Sequence, residues 1–245
     1  MPSKITITDA PATTTTTVEA VNLRGATFAL PAGALHRMLR AVLPAASRDK
    51  ARPNIAQVLV EVGAHGPSGS FRLVATDGYR LHVVEASNVP VAHPRPGERL
   101  AWGWAPAEAE RLSKALNGKA NAEAVAFVGP SEVRVEGLPG DLVAEARIML
   151  APTTNAADFP PYRTCMVPRG GDPRGSSEGA GTRVYGICPK YMIEALGAVD
   201  ALDTAHDTAH VQSSGHELDP VLVYGTASAG PVVLEVDVVV MPKRI

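Results

Sequence analysis

The chain has 245 residues, of which 45% are hydrophobic, 20% charged and 4% aromatic, and its formal net charge is −2. This composition predicts a globular protein with a sizeable core in one large or two smaller domains. No apolar run could cross a bilayer, and a threonine-rich N-terminus stands where a signal peptide would be apolar, so we expect a cytoplasmic protein. Cys165 and Cys188 predict neither a disulfide framework nor a zinc site, and both are expected to be buried.

Three copies of one pattern follow each other along the chain, each an apolar strand that runs into proline at the start of a helix. The strands end at Pro31, Pro106 and Pro189. Proline at the first turn of a helix loses no hydrogen bond, because an N–H there would be unpaired. Apolar residues at helical spacing then predict a helix with one buried stripe in each copy. The predicted stripes are Leu35, Met38, Leu39, Val42 and Leu43; Ala109, Leu112 and Leu116; and Met192, Ile193, Leu196 and Val199.

Valine-rich segments after each helix predict three strands per copy, and hence a βαβββ unit repeated three times. Such units fit an α+β fold of mainly antiparallel sheet with helices on one face. The predicted strands are residues 56–62, 71–76 and 80–86 in the first copy, 123–128, 132–136 and 142–149 in the second, and 210–213, 221–227 and 232–241 in the third.

Composition divides the chain into four parts. Residues 1–24 contain a threonine run without periodicity, which is typical of a flexible N-terminal tail. Residues 25–168 hold the first two copies, and residues 182–245 hold the third. Between them, residues 169–181 are a Gly/Ser-rich linker by composition, so the third copy is expected to be a separate unit.

Charge is distributed unevenly, although its total is close to zero. Residues 34–52 carry five basic residues against one aspartate, whereas residues 200–219 carry five acidic residues and neither lysine nor arginine. This polarity suits a protein that holds phosphate on one surface. A solvated basic helix face is the alternative interpretation.

Residues 71–85 join two apolar runs through Asp77-Gly78, a hairpin signal in which glycine supplies positive φ. Taken alone, this is an ordinary antiparallel hairpin. Two later motifs change that interpretation: Asp-Phe-Pro-Pro-Tyr-Arg at 158–163 and Val-Val-Met-Pro-Lys-Arg-Ile at 239–245. Together with Ala-Thr-Asp-Gly-Tyr-Arg-Leu at 75–81, they resemble the bacterial sliding clamp family, the β subunit of DNA polymerase III.

The resemblance implies that each βαβββ unit is half of a domain, and that six domains close into a ring around duplex DNA. Residues 25–168 correspond to a complete clamp domain, the middle one, and residues 182–245 to the C-terminal half of the last. The chain thus resembles a shortened form. A lone half-domain would expose an apolar face, so we expect another subunit to complete it through a two-fold contact. Four chains would supply twelve half-domains, which favours a homotetramer over a trimer.

Duplex DNA inside a ring is contacted through its phosphates, without sequence reading, and this requires positive charge on the inner helices and the loops after them. The resemblance places a DNA-touching loop at residues 48–52. The predicted DNA-binding residues are Arg37, Arg40, Arg48, Lys50, Arg52, Arg111 and Lys114.

The family's other site is an apolar pocket in which DNA polymerase and repair proteins insert a short linear motif. Three positions differ from the common family residues: Tyr79 replaces His, Thr164 replaces Arg and Lys243 replaces Met. A clamp loader is a further partner that the resemblance leaves open. Carried over by resemblance, the pocket residues are Thr76, Gly78, Tyr79, Arg80, Leu81, Pro160, Thr164, Cys165, Val239, Val240, Met241, Pro242, Lys243, Arg244 and Ile245.

An enzyme is the rival class. His206 and His210, with Asp207 and His216 nearby, have the i, i+4 spacing of metal ligands on a helix. The third helix is expected to end near Ala201, however, so this spacing does not converge. Neither a phosphate loop nor a nucleophile elbow stands out, and we expect no enzymatic activity, metal or cofactor. The remaining alternative is a non-encircling clamp-like module that competes for, or regulates, partners of the host clamp.

Overall fold

The computed structural model describes residues 4–7, 16–19, 27–65, 68–91, 99–117, 124–137, 146–153, 156–166, 169, 187–202, 208–213, 220–230 and 232–242. The helices are α1 (Ala32–Val42), α2 (Pro106–Leu116) and α3 (Pro189–Asp200). The strands are β1 (Lys4–Ile7), β2 (Thr16–Glu19), β3 (Phe28–Pro31), β4 (Val58–His65), β5 (Ser68–Thr76), β6 (Arg80–Val89), β7 (Arg99–Trp104), β8 (Val125–Val128), β9 (Glu132–Glu136), β10 (Ala146–Met149), β11 (Pro152–Thr153), β12 (His210–Gln212), β13 (Val221–Ala229) and β14 (Val232–Val240).

The first two repeats exchange their first strands. Strand β3 of the first repeat pairs with β8 of the second, and β7 of the second pairs with β4 of the first. This gives a four-stranded sheet in the order β10-β9-β8-β3 and an eight-stranded sheet in the order β11-β7-β4-β5-β6-β14-β13-β12. The exchange relates the two repeats by an approximate two-fold axis and makes each repeat incomplete without the other.

The three helices share one hydrophobic core with the sheet faces that they cover. Helix α1 buries Leu35, Met38 and Val42 against alternate residues of β4, β5 and β6, and α2 contributes Leu112 and Leu116 to the same core. Successive residues of a strand point to opposite faces. In β3 to β9, β13 and β14, one face therefore belongs to this core, and the other faces away from the helices.

The third repeat extends the sheet of the first. Strand β14 pairs antiparallel with β6 from Val233 opposite Ser87 to Val240 opposite Arg80. Helix α3 then lies over β13 and β14, where a Cβ added at Gly225 would come within 2.5 Å of Val199 Cγ1. A glycine at this point allows close approach of α3 to the sheet. The third repeat is therefore docked onto the first rather than held by a linker alone.

The structure confirms the α+β class, the three helices and the predominantly antiparallel sheets. The predicted strands occur with shifted ends; β5, for example, begins at residue 68 rather than 71. Strands β1 and β2, which pair with each other, were not predicted. Of the predicted strand before α3, residues 187 and 188 are described and are not in a strand, and the rest lies outside the described residues, as does most of the 169–181 linker. No helix in the described ranges has the length and apolar character to span a membrane.

Two burial predictions were wrong. Ile193 and Leu196 were assigned to the buried stripe of α3, but their exposed fractions are 68% and 41%, because no neighbouring helix in the described part of the chain covers that side. Cys165 was expected to be buried, yet it is exposed at the end of a 3-10 turn, Tyr162–Cys165, and Cys188 is only half-buried.

A buried histidine on β6 makes the stability of the fold depend on pH. His82 is fully buried and its Nδ1 lies 2.7 Å from the Ala41 carbonyl of α1. Burial disfavours the charged imidazolium and lowers the pKa of His82 from 6.5 to about 4. The unfolded chain therefore binds a proton at a pH where the folded chain does not, and acid favours unfolding.

We expect the free energy of unfolding to fall by up to ~3 kcal/mol as the pH drops from about 6.5 to about 4. Urea unfolding across this range measures the effect. The His82→Asn variant keeps a side-chain amide near the Ala41 carbonyl but does not titrate, so its stability should be lower at pH 7 and vary less with pH. Equal pH dependence in both proteins would contradict the assignment.

Candidate peptide-binding surface and nucleic-acid face

The reversal between β5 and β6 is a three-residue loop, 77–79, whose shape is fixed by side-chain hydrogen bonds. Asp77 Oδ1 accepts from the N–H groups of Tyr79 (2.9 Å) and Arg80 (3.2 Å). Thr76 Oγ1 accepts from the Gly78 N–H (3.1 Å) and donates to the Arg80 carbonyl (2.7 Å). Gly78 has a φ of 92°, which strains any residue with a side chain. The loop is thus preformed.

Strand β14 brings the C-terminal motif to this loop. Val239 lies opposite Leu81 and Val240 opposite Arg80 in the β6–β14 ladder. The Met241 N–H then donates to the Tyr79 carbonyl at 3.0 Å. The motif at 75–81 and the motif at 239–245, which are far apart in sequence, therefore meet at one end of the large sheet.

A second, smaller apolar cluster lies on the sheet face that turns away from the helices, and we name it the outer cluster. The middle motif covers it, because the buried ring of Tyr162 packs on the strands from the segment 156–166. Phe159, Met166 and Tyr224 are partly buried at its margin. Its strand residues are Leu59, Val74, Leu81, Val83, Leu222 and Val239, all buried.

A polar network fastens the covering segment to the sheet. The Tyr162 hydroxyl donates to Glu61 Oε2 at 2.6 Å and accepts from Arg72 Nη1 at 3.2 Å. Arg163 Nη2 also donates to Glu61 Oε2, at 2.5 Å, and Arg72 donates to Glu85. Burial and the bond to Glu61 raise the pKa of Tyr162 to about 12. Tyr162 therefore remains a protonated donor at neutral pH.

The predicted pocket residues divide between the two faces of the sheet. Leu81 and Val239 belong to the outer cluster, while Thr76, Pro160 and Pro242 are half-buried and Gly78, Thr164 and Cys165 are exposed. Tyr79 and Met241 are 58% and 44% exposed at the loop end. Lys243, Arg244 and Ile245 lie outside the described residues.

Arg80 and Val240 are on the helix side of the sheet, away from the outer cluster. Arg80 is buried, with ion pairs to Asp77 (Nε to Oδ2, 3.2 Å) and to Glu194 of α3. Its guanidinium carbon lies 4.7 Å from the ring centroid of Tyr191. Arg80 therefore fixes α3 to the 77–79 loop, a role that the motif alone did not indicate.

The motifs also missed most of the outer cluster. Leu59, Val74, Val83 and Leu222 were assigned to strands without a face, and Tyr162 was only part of a motif. The signal was present in the strand alternation, since Leu81 and Val83 are two residues apart and so lie on one face. Pairing between β6 and β14, which supplies the neighbouring residues, could not be read from the sequence.

The predicted DNA-binding residues lie on α1, on α2 and in the loop after α1, and several of them are engaged within the chain. Arg37 Nη1 donates to the Leu202 carbonyl at 3.1 Å, and Arg48 forms an ion pair with Glu110. Arg52 pairs with Asp49 at 2.9 Å, and Arg111 pairs with Glu108 at 2.5 Å.

Arg40, Lys50 and Lys114 are exposed and form no hydrogen bond or ion pair within the described ranges. Arg40 and Lys114 hold the same position in their repeats, because each is the ninth residue of its helix, counted from Ala32 and Pro106. The two-fold relation of the repeats thus gives a pair of unengaged cations on the helix side.

Solved structures with the same fold are bacterial DNA polymerase III β sliding clamps. The subunit from Pseudomonas aeruginosa has a TM-score of 0.58 at 17% identity, over 98% of this chain and 75% of that chain. A DnaN clamp from Bartonella birtlesii, bound to griselimycin, has a TM-score of 0.58 at 18% identity, over 90% of this chain and 67% of that chain. The clamp from Caulobacter crescentus has a TM-score of 0.57 at 16% identity, over 100% of this chain and 76% of that chain.

These comparisons show that the chain has the fold of the bacterial sliding clamp. The sequence itself matches no protein-family model and no curated protein.

The hydroxyl of Tyr162 should contribute to holding the segment 156–166 on the sheet. We expect Tyr162→Phe to lower the free energy of unfolding by about 2 kcal/mol, because the hydrogen bonds to Glu61 and from Arg72 are lost while the ring packing remains. Urea unfolding gives this value, and hydrogen exchange should be faster in the segment. Tyr224→Phe is the matched control, since that hydroxyl makes no hydrogen bond in the described structure; an equal loss there would contradict the assignment.

Proposed function

We propose that the chain is a DNA sliding clamp, a non-enzymatic processivity factor that encircles duplex DNA and tethers DNA polymerase or repair proteins through a short peptide. The observation that carries this proposal is the division of the large sheet into two unlike faces. One face holds the helices with their exposed cations, and the other holds the outer cluster beside the 77–79 loop.

The helix side has the properties that sequence-independent DNA contact requires. Mobile, unengaged cations contact phosphates without reading bases. Arg40 and Lys114 provide such cations at equivalent points of α1 and α2, and Lys50 provides another in the loop after α1. Gly197 occupies the same position in α3, so the DNA contact would be concentrated on the first two repeats.

The continuous sheet supports assembly into a ring. Strands β6 and β14 join the first and third repeats edge to edge, so the large sheet crosses from one repeat to another with the helices on one side. Continuing this arrangement would form an outer wall of sheet around helices. A chain of three repeats supplies an odd number of half-domains, and four such chains supply the twelve of a six-domain ring. The homotetramer is therefore favoured over a trimer.

The outer cluster and the loop end would form the tethering site. Pockets that hold an extended peptide combine apolar walls with a few polar groups at the rim. The exposed side chains of Tyr79 and Met241 supply apolar surface at the loop end, next to the buried Leu81 and Val239. The Bartonella clamp that shares this fold binds griselimycin, and we infer that the present surface accepts ligands of the same kind.

One observation favours the alternative, a module that competes for the host clamp's partners without encircling DNA. Arg37, Arg48, Arg52 and Arg111 are all engaged with groups in the same chain. Such engagement leaves fewer cations for phosphate. Experiments on DNA and on peptide binding separate the two functions. The alternative predicts that the chain binds the peptide but is not retained on DNA.

Replacing Arg40 and Lys114 with alanine should weaken binding to duplex DNA. If each contacts one phosphate, the slope of log K against log salt should become shallower by about 2. The charge-matched control is Arg99→Ala with Arg147→Ala, because both arginines are exposed away from the helices. The unsubstituted protein should also remain on closed circular DNA and leave it after linearisation. If the protein stays on the DNA to the same extent after linearisation, it does not encircle the DNA.

Replacing Met241 and Pro242 with alanine should weaken binding of a labelled clamp-binding peptide, or of griselimycin, by at least about tenfold, a loss of about 1.4 kcal/mol. Fluorescence anisotropy for the peptide and calorimetry for griselimycin measure this change. Met149→Ala is the matched control, since Met149 is 60% exposed on a different sheet. If the unsubstituted protein binds the peptide and the double variant binds it with the same affinity, the peptide site does not include Met241 and Pro242.

A further inference from the structure

The third repeat presents apolar side chains at the positions where the other two repeats make their helix contact. Aligning the helices at their first residues, Ala32, Pro106 and Pro189, makes residue 39 of α1 equivalent to 113 of α2 and 196 of α3. The same alignment makes residue 36 equivalent to 110 and to 193. The buried stripes agree, because Val42, Leu116 and Val199 coincide and all three are buried.

In the first two repeats these positions lie at the contact between helices. His36 Nδ1 lies 2.9 Å from the Ser113 carbonyl, so residues 36 and 113 meet across the approximate two-fold axis. Leu39 and Ser113 are buried there, at 0% and 7% exposed. The position that residues 39, 113 and 196 share is therefore buried in the two repeats whose helices contact each other.

In α3 the same two positions hold large apolar residues that face solvent. Ile193 is 68% exposed and Leu196 is 41% exposed. Val211 of β12 is 57% exposed and belongs to the helix side of the sheet, because its ladder partner Val223 lies in the main core. Within the described residues, the third repeat thus lacks the second helix that covers this surface in the first two. We name Ile193, Leu196 and Val211 the α3 patch.

We propose that the α3 patch is the interface with a second copy of this chain, in which residue 193 of one copy meets residue 196 of the other. The contact between residues 36 and 113 is the template, since it joins two repeats of this same fold by a two-fold relation. A two-fold contact between identical patches is self-complementary. The polar pair His36 and Ser113 would be replaced by an apolar contact between Ile193 and Leu196.

Charge on α3 agrees with this occupant. Glu194, next to Ile193 in sequence, is turned toward Arg80 in the same chain. The carboxylate is therefore already paired and does not stand unpaired at the patch, where two copies would bring equal charges together. The role of this interface in ring closure rests on the proposed function. The interface itself requires neither DNA nor a peptide.

Light scattering after size exclusion tests the interface on the full chain. We expect an even number of chains, and we expect Ile193→Glu with Leu196→Glu to halve the mass, because buried carboxylates would oppose each other. Met149→Glu should leave the mass unchanged, because this methionine is exposed on the four-stranded sheet and not on the sheet that α3 covers. Both side chains are exposed in the single chain, so the circular dichroism spectrum of the variant should stay the same. A single-chain or trimeric mass, or an unchanged mass in the double variant, would overturn the inference.

Cross-linking tests the register in a background carrying Cys165→Ser and Cys188→Ser. Ile193→Cys protein and Leu196→Cys protein, refolded together, should cross-link with a short bismaleimide more than either protein alone. Equal cross-linking in all three samples would overturn the assigned contact. This outcome is independent of the DNA test. An even-numbered assembly that fails to remain on circular DNA would support the interface and contradict the clamp function. A single chain that binds DNA would contradict the interface.

Discussion

The pairing of β6 with β14 is the constraint on which the rest of the structure depends. This ladder runs from Val233 opposite Ser87 to Val240 opposite Arg80 and joins the third repeat to the first. It also sets the position of the C-terminal motif, because the Met241 N–H reaches the Tyr79 carbonyl only in this register. A shift of one residue would turn Val239 toward the helices and Val240 outward, and would remove Val239 from beside Leu81.

The same ladder produces two faces with different chemistry. On β6, Arg80 and His82 face the helices, while Leu81 and Val83 face outward. Arg80 is buried on the helix face with two carboxylate partners, since a buried charge is tolerated only with partners. The guanidinium of Arg80 thus connects the loop through Asp77 to α3 through Glu194. At the loop end, the exposed side chains of Tyr79 and Met241 lie next to the buried Leu81 and Val239 of the outer cluster, and this is where we propose that a peptide binds.

The sequence predicted much of the local structure, because proline positions, helical spacing and valine-rich runs act over short distances. It also located the motif segments that meet at the loop end. It did not predict which face each strand residue occupies, since Leu59 and Val74 acquire their face from pairing with distant strands. It also assigned Ile193 and Leu196 to a buried stripe, because spacing identifies an apolar side of a helix but not whether a neighbour covers it. Arg80 was placed in the pocket by its motif, whereas Glu194 and Tyr191 hold it beneath α3.

The proposed function requires the repeats to continue into a closed wall, with helices inside and the tethering surface outside. Electron microscopy of the assembled protein tests this claim most directly. We expect ring-shaped particles with a central hole lined by helices and an outer wall of continuous sheet. Compact particles without a hole, or rings with the helices on the outside, would contradict it.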